Sequence, residues 1–229
     1  LHLLGHAVGD ILYEQRGLEG ITVCTDDFRN ACSHSIVVGL FLDKGEGALP
    51  DIAKACEGAP GGSGAYTMCF HGLGHGILSA VGFDVERAVS ICQKIGKSVT
   101  KGGEGPQCIG GIVMEIVGGG GHDKVTWEKQ RKKYLQKLHP LSLCRGTIIP
   151  QDSKFFCYVY ITPFLWESQG TNLGNPTASD FENTFPICGQ IPKNEPQNWD
   201  ACYGGFGKEF VGLAAARDIR RVDQMNDSQ

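Results

Sequence analysis

The sequence predicts an all-α fold, an α-solenoid of about five disulfide-stapled antiparallel helical hairpins. Three observations lead there. Ten cysteines in 229 residues stand widely apart, with no Cys-x-x-Cys pair among them. Five segments begin with a cysteine and continue alike. Between the cysteines, apolar residues recur at helical spacing and glycine-rich linkers follow.

Leu1-His-Leu-Leu-Gly-His-Ala aligns with Phe70-His-Gly-Leu-Gly-His-Gly, so residues 1–24 read as a first hairpin ending at Cys24. The second, 32–56, opens with Cys32-Ser-His-Ser-Ile-Val-Val-Gly, and Pro50 starts its return helix, where a missing N–H costs nothing. The third, 69–92, opens with Cys69-Phe-His-Gly-Leu-Gly-His-Gly and returns through Asp84-Val-Glu-Arg-Ala-Val-Ser-Ile-Cys. Acidic residues in the first turn of that return segment suit the positive end of a helix dipole. The fourth, 108–144, starts at Cys108-Ile-Gly-Gly-Ile-Val-Met-Glu and contains a basic insertion. The fifth, 157–188, starts at Cys157-Tyr-Val-Tyr-Ile-Thr-Pro-Phe, and a partial unit, 202–215, at Cys202-Tyr-Gly-Gly-Phe-Gly-Lys-Glu. Residues 1–219 thus read as one helical-repeat domain with a polar tail, 220–229. Glycines on the head helices (Gly72, Gly74, Gly110, Gly111, Gly204, Gly205) each cost about 1 kcal/mol against Ala in a helix interior. Close helix approach is the physical reason such a cost would be tolerated.

A helix, a turn and an antiparallel helix would bring the start of one helix to the end of the other. That geometry predicts Cys32–Cys56, Cys69–Cys92, Cys108–Cys144 and Cys157–Cys188. Cys24 and Cys202 are left unassigned. Either they pair with each other and close the stack toward a ring, or each lacks a partner beyond the chain ends, which is the favoured alternative.

Bulk properties narrow the function. A net charge of −4 and a pI near 6.0 give no basic field for polyanions, which argues against nucleic acid. No apolar run approaches the roughly 20 residues that span a bilayer. Separated single cysteines fit structural disulfides and an extracytoplasmic location, secreted or periplasmic. Leu1 falls directly inside a helix-like pattern, so the sequence reads as a piece of a longer precursor.

Segment 69–92, with Cys69, Leu73-Gly74, Ala88 and Cys92, resembles the disulfide-linked, tetratricopeptide-related (Sel-one-like) cysteine-rich helical repeat proteins. The pattern extends over most of the chain, although 108–144 and 157–188 depart from it in spacing. That family has no His-x-x-Gly-His signature. The resemblance implies a solenoid from outside the cytosol with a protein- or cell-wall-binding surface, and it transfers no catalytic site.

Histidine supplies the functional lead. His2, His34 and His71 share the position two residues after the head cysteine, and His6 and His75 lie four residues further on. Residues i and i+4 share a helix face, as in helical metal sites. Equivalent positions on stacked helices lie about 8–10 Å apart between axes. His2, His6, His34, His71 and His75 are therefore the candidate ligands for a transition metal ion (Cu, Zn or Fe), which neutral imidazole suits. Glu115 and Glu209, one position past that of His75 on later heads, could complete a polar seam. The bland counterpart is a ladder of histidines bonded to neighbouring helices. His-x-x-Gly-His lacks the Glu by which metallopeptidases polarise water.

Two classes of alternative stand beside the metal reading. One is a metal-free scaffold or assembly subunit that binds other protein subunits through a concave face or through the aromatic cluster around Cys157. The other is a histidine-dependent oxidoreductase. In the insertion, Trp127, Tyr134, Leu135 and Leu138 lie near one helical face among lysines. Segment 124–138 could touch an acidic partner or a membrane periphery, though a solvated surface helix is the commoner outcome.

Overall fold

The structure, a computed structural model, describes residues 2–25, 27–95, 103–119, 123–172 and 176–216. The polar tail, His122 and the side chain of His2 lie outside the described parts. All regular structure among the described residues is helical, as the cysteine and apolar spacing predicts.

Helix α1 (His2–Arg16) runs through a 3-10 segment, Gly17–Val23, to α2 (Asp27–Lys44). A second 3-10 turn, Gly45–Ala48, leads into α3 (Leu49–Glu57), with Pro50 in its first turn as expected. Next come α4 (Gly62–Ala80) and α5 (Val85–Cys92). Asp84 caps α5 by accepting the Arg87 backbone N–H at 3.1 Å. The chain continues through α6 (Glu104–Gly118), α7 (Lys124–Tyr134) and the single turn α8 (Ser142–Arg145). It closes with α9 (Lys154–Tyr160), α10 (Thr162–Ser168), α11 (Ala178–Cys188) and α12 (Pro196–Ala216). A reciprocal Thr177–Asp180 capping box starts α11.

Six of these helices, α1, α2, α4, α6, α9 and α12, pack side by side in chain order. Cys32, Cys69, Cys108 and Cys202 sit more than one turn inside their helices rather than at the starts, and Cys157 is the fourth residue of α9. Short helices α3, α5, α8 and α11 lie beside this row, and the buried apolar side chains form one continuous cluster from Ile21 to Phe206. Glycine sets the spacing within the row. A Cβ on Gly74 would overlap the Cys108 carbonyl, and one on Gly111 would overlap the His71 carbonyl. At that crossing α4 and α6 meet backbone to backbone, which no larger residue permits.

The disulfides correct the hairpin pairing. The bonds are Cys24–Cys32, Cys56–Cys69, Cys92–Cys108, Cys144–Cys157 and Cys188–Cys202, with Cα–Cα distances of 5.6–5.8 Å. None of Cys32–Cys56, Cys69–Cys92, Cys108–Cys144 or Cys157–Cys188 forms. Cys24 and Cys202 are not left over, and no bond joins them into a ring.

Unequal helix lengths explain the shift. At about 1.5 Å per residue, Cys32 lies about 18 Å from the end of α2, whereas α3 runs back only about 11 Å to Cys56. The tail cysteine falls short of its own head and meets the following one. Consistently, α3 packs more on α4 than on α2, and α5 more on α6 than on α4. Each bridge therefore spans the linker after a unit and ties that unit's closing segment to the next helix of the row.

The longer spacing of the last two units has a simple cause. Unit 108–144 contains α7 in addition to its closing turn, and unit 157–188 breaks its head helix into α9 and α10. Helix α7 covers the end of α6: Trp127 Nε1 donates to the Glu115 carbonyl at 3.0 Å and Arg131 Nε to the Val117 carbonyl at 3.1 Å. The Arg131 bond satisfies a carbonyl that the helix C-terminus leaves unpaired, and the Trp127 bond is a second one to the Glu115 carbonyl, which also accepts the Gly119 backbone N–H at 2.8 Å. Arg131 also grips Glu167. Helix α7 stops at Tyr134, so Leu138 does not continue a helical face and stands exposed, whereas Tyr134 and Leu135 are buried. No helix among the described residues is long and apolar enough to cross a membrane.

Candidate functional site

The row carries a polar seam that crosses from α1 to α12. On α1, His6 Nδ1 lies 3.0 Å from Ser35 Oγ of α2. His34 of α2 follows, its ring centroid 5.9 Å from that of His6 and 6.4 Å from those of both His71 and His75. His71 and His75 stand one turn apart on α4, with centroids 5.0 Å apart and their Nε2 atoms 3.2 Å apart. On α6, Glu115 Oε2 meets His75 Nδ1 at 2.9 Å. Tyr160 of α9 packs on the other side of His71, with centroids 4.6 Å apart. Lys208 of α12 lies over the Tyr160 ring and pairs with Glu209.

Glycine again makes the approach possible. A Cβ on Gly72 would overlap the His34 ring, so α2 can lay that imidazole flat against α4. His34 and His71 are buried, at 4% and 2% exposure. Burial pushes the His71 pKa well below the ordinary histidine value, and the neighbouring His75, His34 and Lys208 push in the same direction. The Gln107 backbone, beside the ring, is the opposing influence. It falls short of full hydrogen-bond geometry, because His71 Nδ1 makes no hydrogen bond. His71 is thus held neutral, with a ligand-competent lone pair.

A cleft of about 180 Å³ opens beside this seam, lined by His75, Glu115, Tyr160, Pro163, Lys208 and Glu209 among others. Its origin lies in the break at Ile161. Pro163 in the first turn of α10 ends the straight course of α9, and α10 turns to pack mainly on α11 and α12. The far half of α6 is left with a wall missing on that side.

These positions redistribute the expected ligands. His71, His75 and Glu115 come together. His34 adjoins them, His6 stands one step further off with Ser35, and Glu209 faces the cleft paired to Lys208. The four described imidazoles, of His6, His34, His71 and His75, do not converge on one point. Among the described residues no group of three or more His, Cys, Asp or Glu is placed to hold a metal ion. The distances show why: imidazoles sharing one tetrahedral ion have centroids about 5 Å apart, which His71–His75 meets and the 6.4 Å pairs with His34 exceed. The row is offset too far per helix for equivalent positions to meet.

Tyr160 and Lys208 were not foreseen as part of the seam. Lys208 occupies the same position after its head cysteine as His75, so the repeat register contained it. Tyr160 lay inside an aromatic cluster with Phe155, Phe156, Tyr158, Phe164 and Trp166, of which Tyr158, Phe164 and Trp166 are core residues and Phe155 is exposed. No family model, curated protein or solved structure matches the chain.

Proposed function

We propose that this is an extracytoplasmic helical-repeat protein that binds one transition metal ion, zinc or copper in the first instance, through His71 and His75, with Glu115 as the orienting carboxylate. The observation that carries the reading is the 3.2 Å approach of the two Nε2 atoms while His75 Nδ1 is held by Glu115. Two nitrogens bound at about 2.0–2.1 Å to one tetrahedral ion lie about 3.3 Å apart. Metal-ligating histidines generally direct their other ring nitrogen to a carboxylate or a backbone carbonyl. A proton on His75 Nδ1, donated to Glu115, leaves the His75 Nε2 lone pair facing His71 Nε2. The cleft at His75 gives access for the ion and for solvent or small ligands to complete its coordination.

The geometry weighs against simple acid-base catalysis. One nitrogen of His75 meets Glu115 and the other meets His71, so both are already engaged within the seam. The oxidising environment rests on the five disulfides, with all ten cysteines bonded.

Metal content of protein purified without chelator and reconstituted with zinc or copper tests the proposal. About one equivalent is expected in the wild type, and His71→Gln and His75→Gln should each abolish tight binding; Glu115→Gln should weaken it roughly 10- to 100-fold. Protein that retains less than about one-tenth of an equivalent after reconstitution would instead make the seam a hydrogen-bonded ladder.

A further inference from the structure

The repeat register shows which faces of α1 and α12 match the interfaces used inside the row. In each head helix the residues three and seven places after the head cysteine face the preceding helix. On α2 these are Ser35, which meets His6, and Gly39, against which Tyr13 packs. On α4 they are Gly72 and Gly76, against His34 and Val38. On α6 they are Gly111 and Glu115, against His71 and His75. The residues next to them, Ile36 and Leu40, Leu73 and Ile77, Ile112 and Ile116, are all buried.

Helix α1 carries the same face with nothing described against it. In register with Gly76 is Ala7, which is exposed. Leu4 and Val8, in register with Leu73 and Ile77, are 63% and 50% exposed, and Ile11 is 53% exposed. Residues 4, 7, 8 and 11 form one continuous apolar stripe at helical spacing. A polar residue at these positions would be the normal choice for a solvent-facing helix.

The opposite end shows the complementary surface. Residues two and five places after the head cysteine face the following helix. Gly110 lets Tyr160 and Phe156 of α9 approach, and Gly74 lets the Cys108 backbone of α6 approach. The same positions on α12 are Gly204 and Gly207, and a Cβ on either would meet no atom within 4 Å. Phe210 and Val211 beside them are exposed, at 47% and 63%. Helix α12 thus keeps the glycine groove that receives a neighbour elsewhere in the row, at the usual cost of exposed glycine in a helix.

We infer that the protein associates head to tail with a second copy, the Leu4–Ala7–Val8–Ile11 ridge of α1 seating in the Gly204–Gly207 groove of α12. The contact continues the helix-to-helix interface that already repeats through the molecule, and ridge meets groove as it does inside. Because the two surfaces differ, the association is heterologous and adds copies in series.

Sedimentation velocity over a wide concentration range tests this with two variants on exposed helix faces, Val8→Glu and Gly207→Gln. Wild-type protein should sediment faster as concentration rises, whereas each variant alone should remain monomeric. Mixed together, the variants should form a 1:1 dimer and nothing longer, since each retains one intact surface. A wild type that stays monomeric throughout would overturn the inference. So would loss of association in Val8→Glu with none in Gly207→Gln, which marks a symmetric contact through α1, and so would failure of the mixture to pair.

Discussion

At the scale of single residues, the seam turns on His71. Its ring is buried beside two other imidazoles and a lysine, and it stays neutral where a free histidine would titrate. The consequence for metal-free protein has a definite sign. Above pH 6.5 both native and unfolded His71 are neutral and the residue adds no pH dependence. As pH falls from 6.5 toward the depressed native value, the unfolded chain takes up a proton that the folded one refuses. Stability is lost across that window, by up to about 1.4 kcal/mol per pH unit for this one site. Urea unfolding of the apoprotein between neutral pH and pH 5 should show the slope, and His71→Gln should flatten it by about one proton. An unchanged slope in that variant would mean that the ring protonates in place. The candidate residues themselves were legible in part. The i and i+4 histidines, and Glu115 one position past that of His75, follow from counting along the repeat. That His71 and His75 would turn their Nε2 atoms toward each other depends on Glu115 and Tyr160 on neighbouring helices, and no spacing along α4 encodes it.

At the scale of elements, the helices and their caps were readable and the breaks were not. Asp84 and Pro50 mark helix starts in the sequence and do so in the structure, because capping and the missing proline N–H act locally. The division of the fifth head into α9 and α10 is different. Thr162-Pro163 signals a break, yet where α10 goes is decided by its packing on α11 and α12. That choice opens the cleft beside Glu115. The glycine contacts predict a clear mutational asymmetry. Gly111→Ala places a methyl against the His71 carbonyl, a backbone atom that cannot swing aside. The substitution gains about 1 kcal/mol of helix propensity but should lose more to overpacking, which typically costs about 1–3 kcal/mol and here meets rigid backbone. Gly204→Ala, with open space around it, should be neutral or stabilising by up to about 1 kcal/mol. Equilibrium unfolding of the two variants compares them directly; equal effects would contradict the close approach of α4 and α6.

For the whole molecule, the register of the disulfides decides the architecture. Cysteine count and separation announce a stapled helical repeat, and the fold class follows from them. The pairing did not, because it depends on how far α3 and α5 run back relative to α2 and α4, a matter of helix length that the cysteine positions alone leave open. The bonds span the linkers, each closing a loop of 8 to 16 residues. For Cys56–Cys69, joint replacement by alanine should cost about 3 kcal/mol of unfolding free energy by the loop-entropy relation. It should do so without altering the other four pairings on peptide mapping. Peptides joining Cys56 to Cys32 in the wild type would restore the hairpin alternative.

The central claim is that the seam built by this row is a metal site. X-ray absorption of the zinc-loaded protein addresses it most directly. Two imidazole nitrogens are expected at about 2.0–2.1 Å, completed by oxygen or nitrogen ligands, with the imidazole scattering lost in His75→Gln. A bound ion with no imidazole in its first coordination sphere, or a spectrum that His71→Gln and His75→Gln leave unchanged, would contradict it.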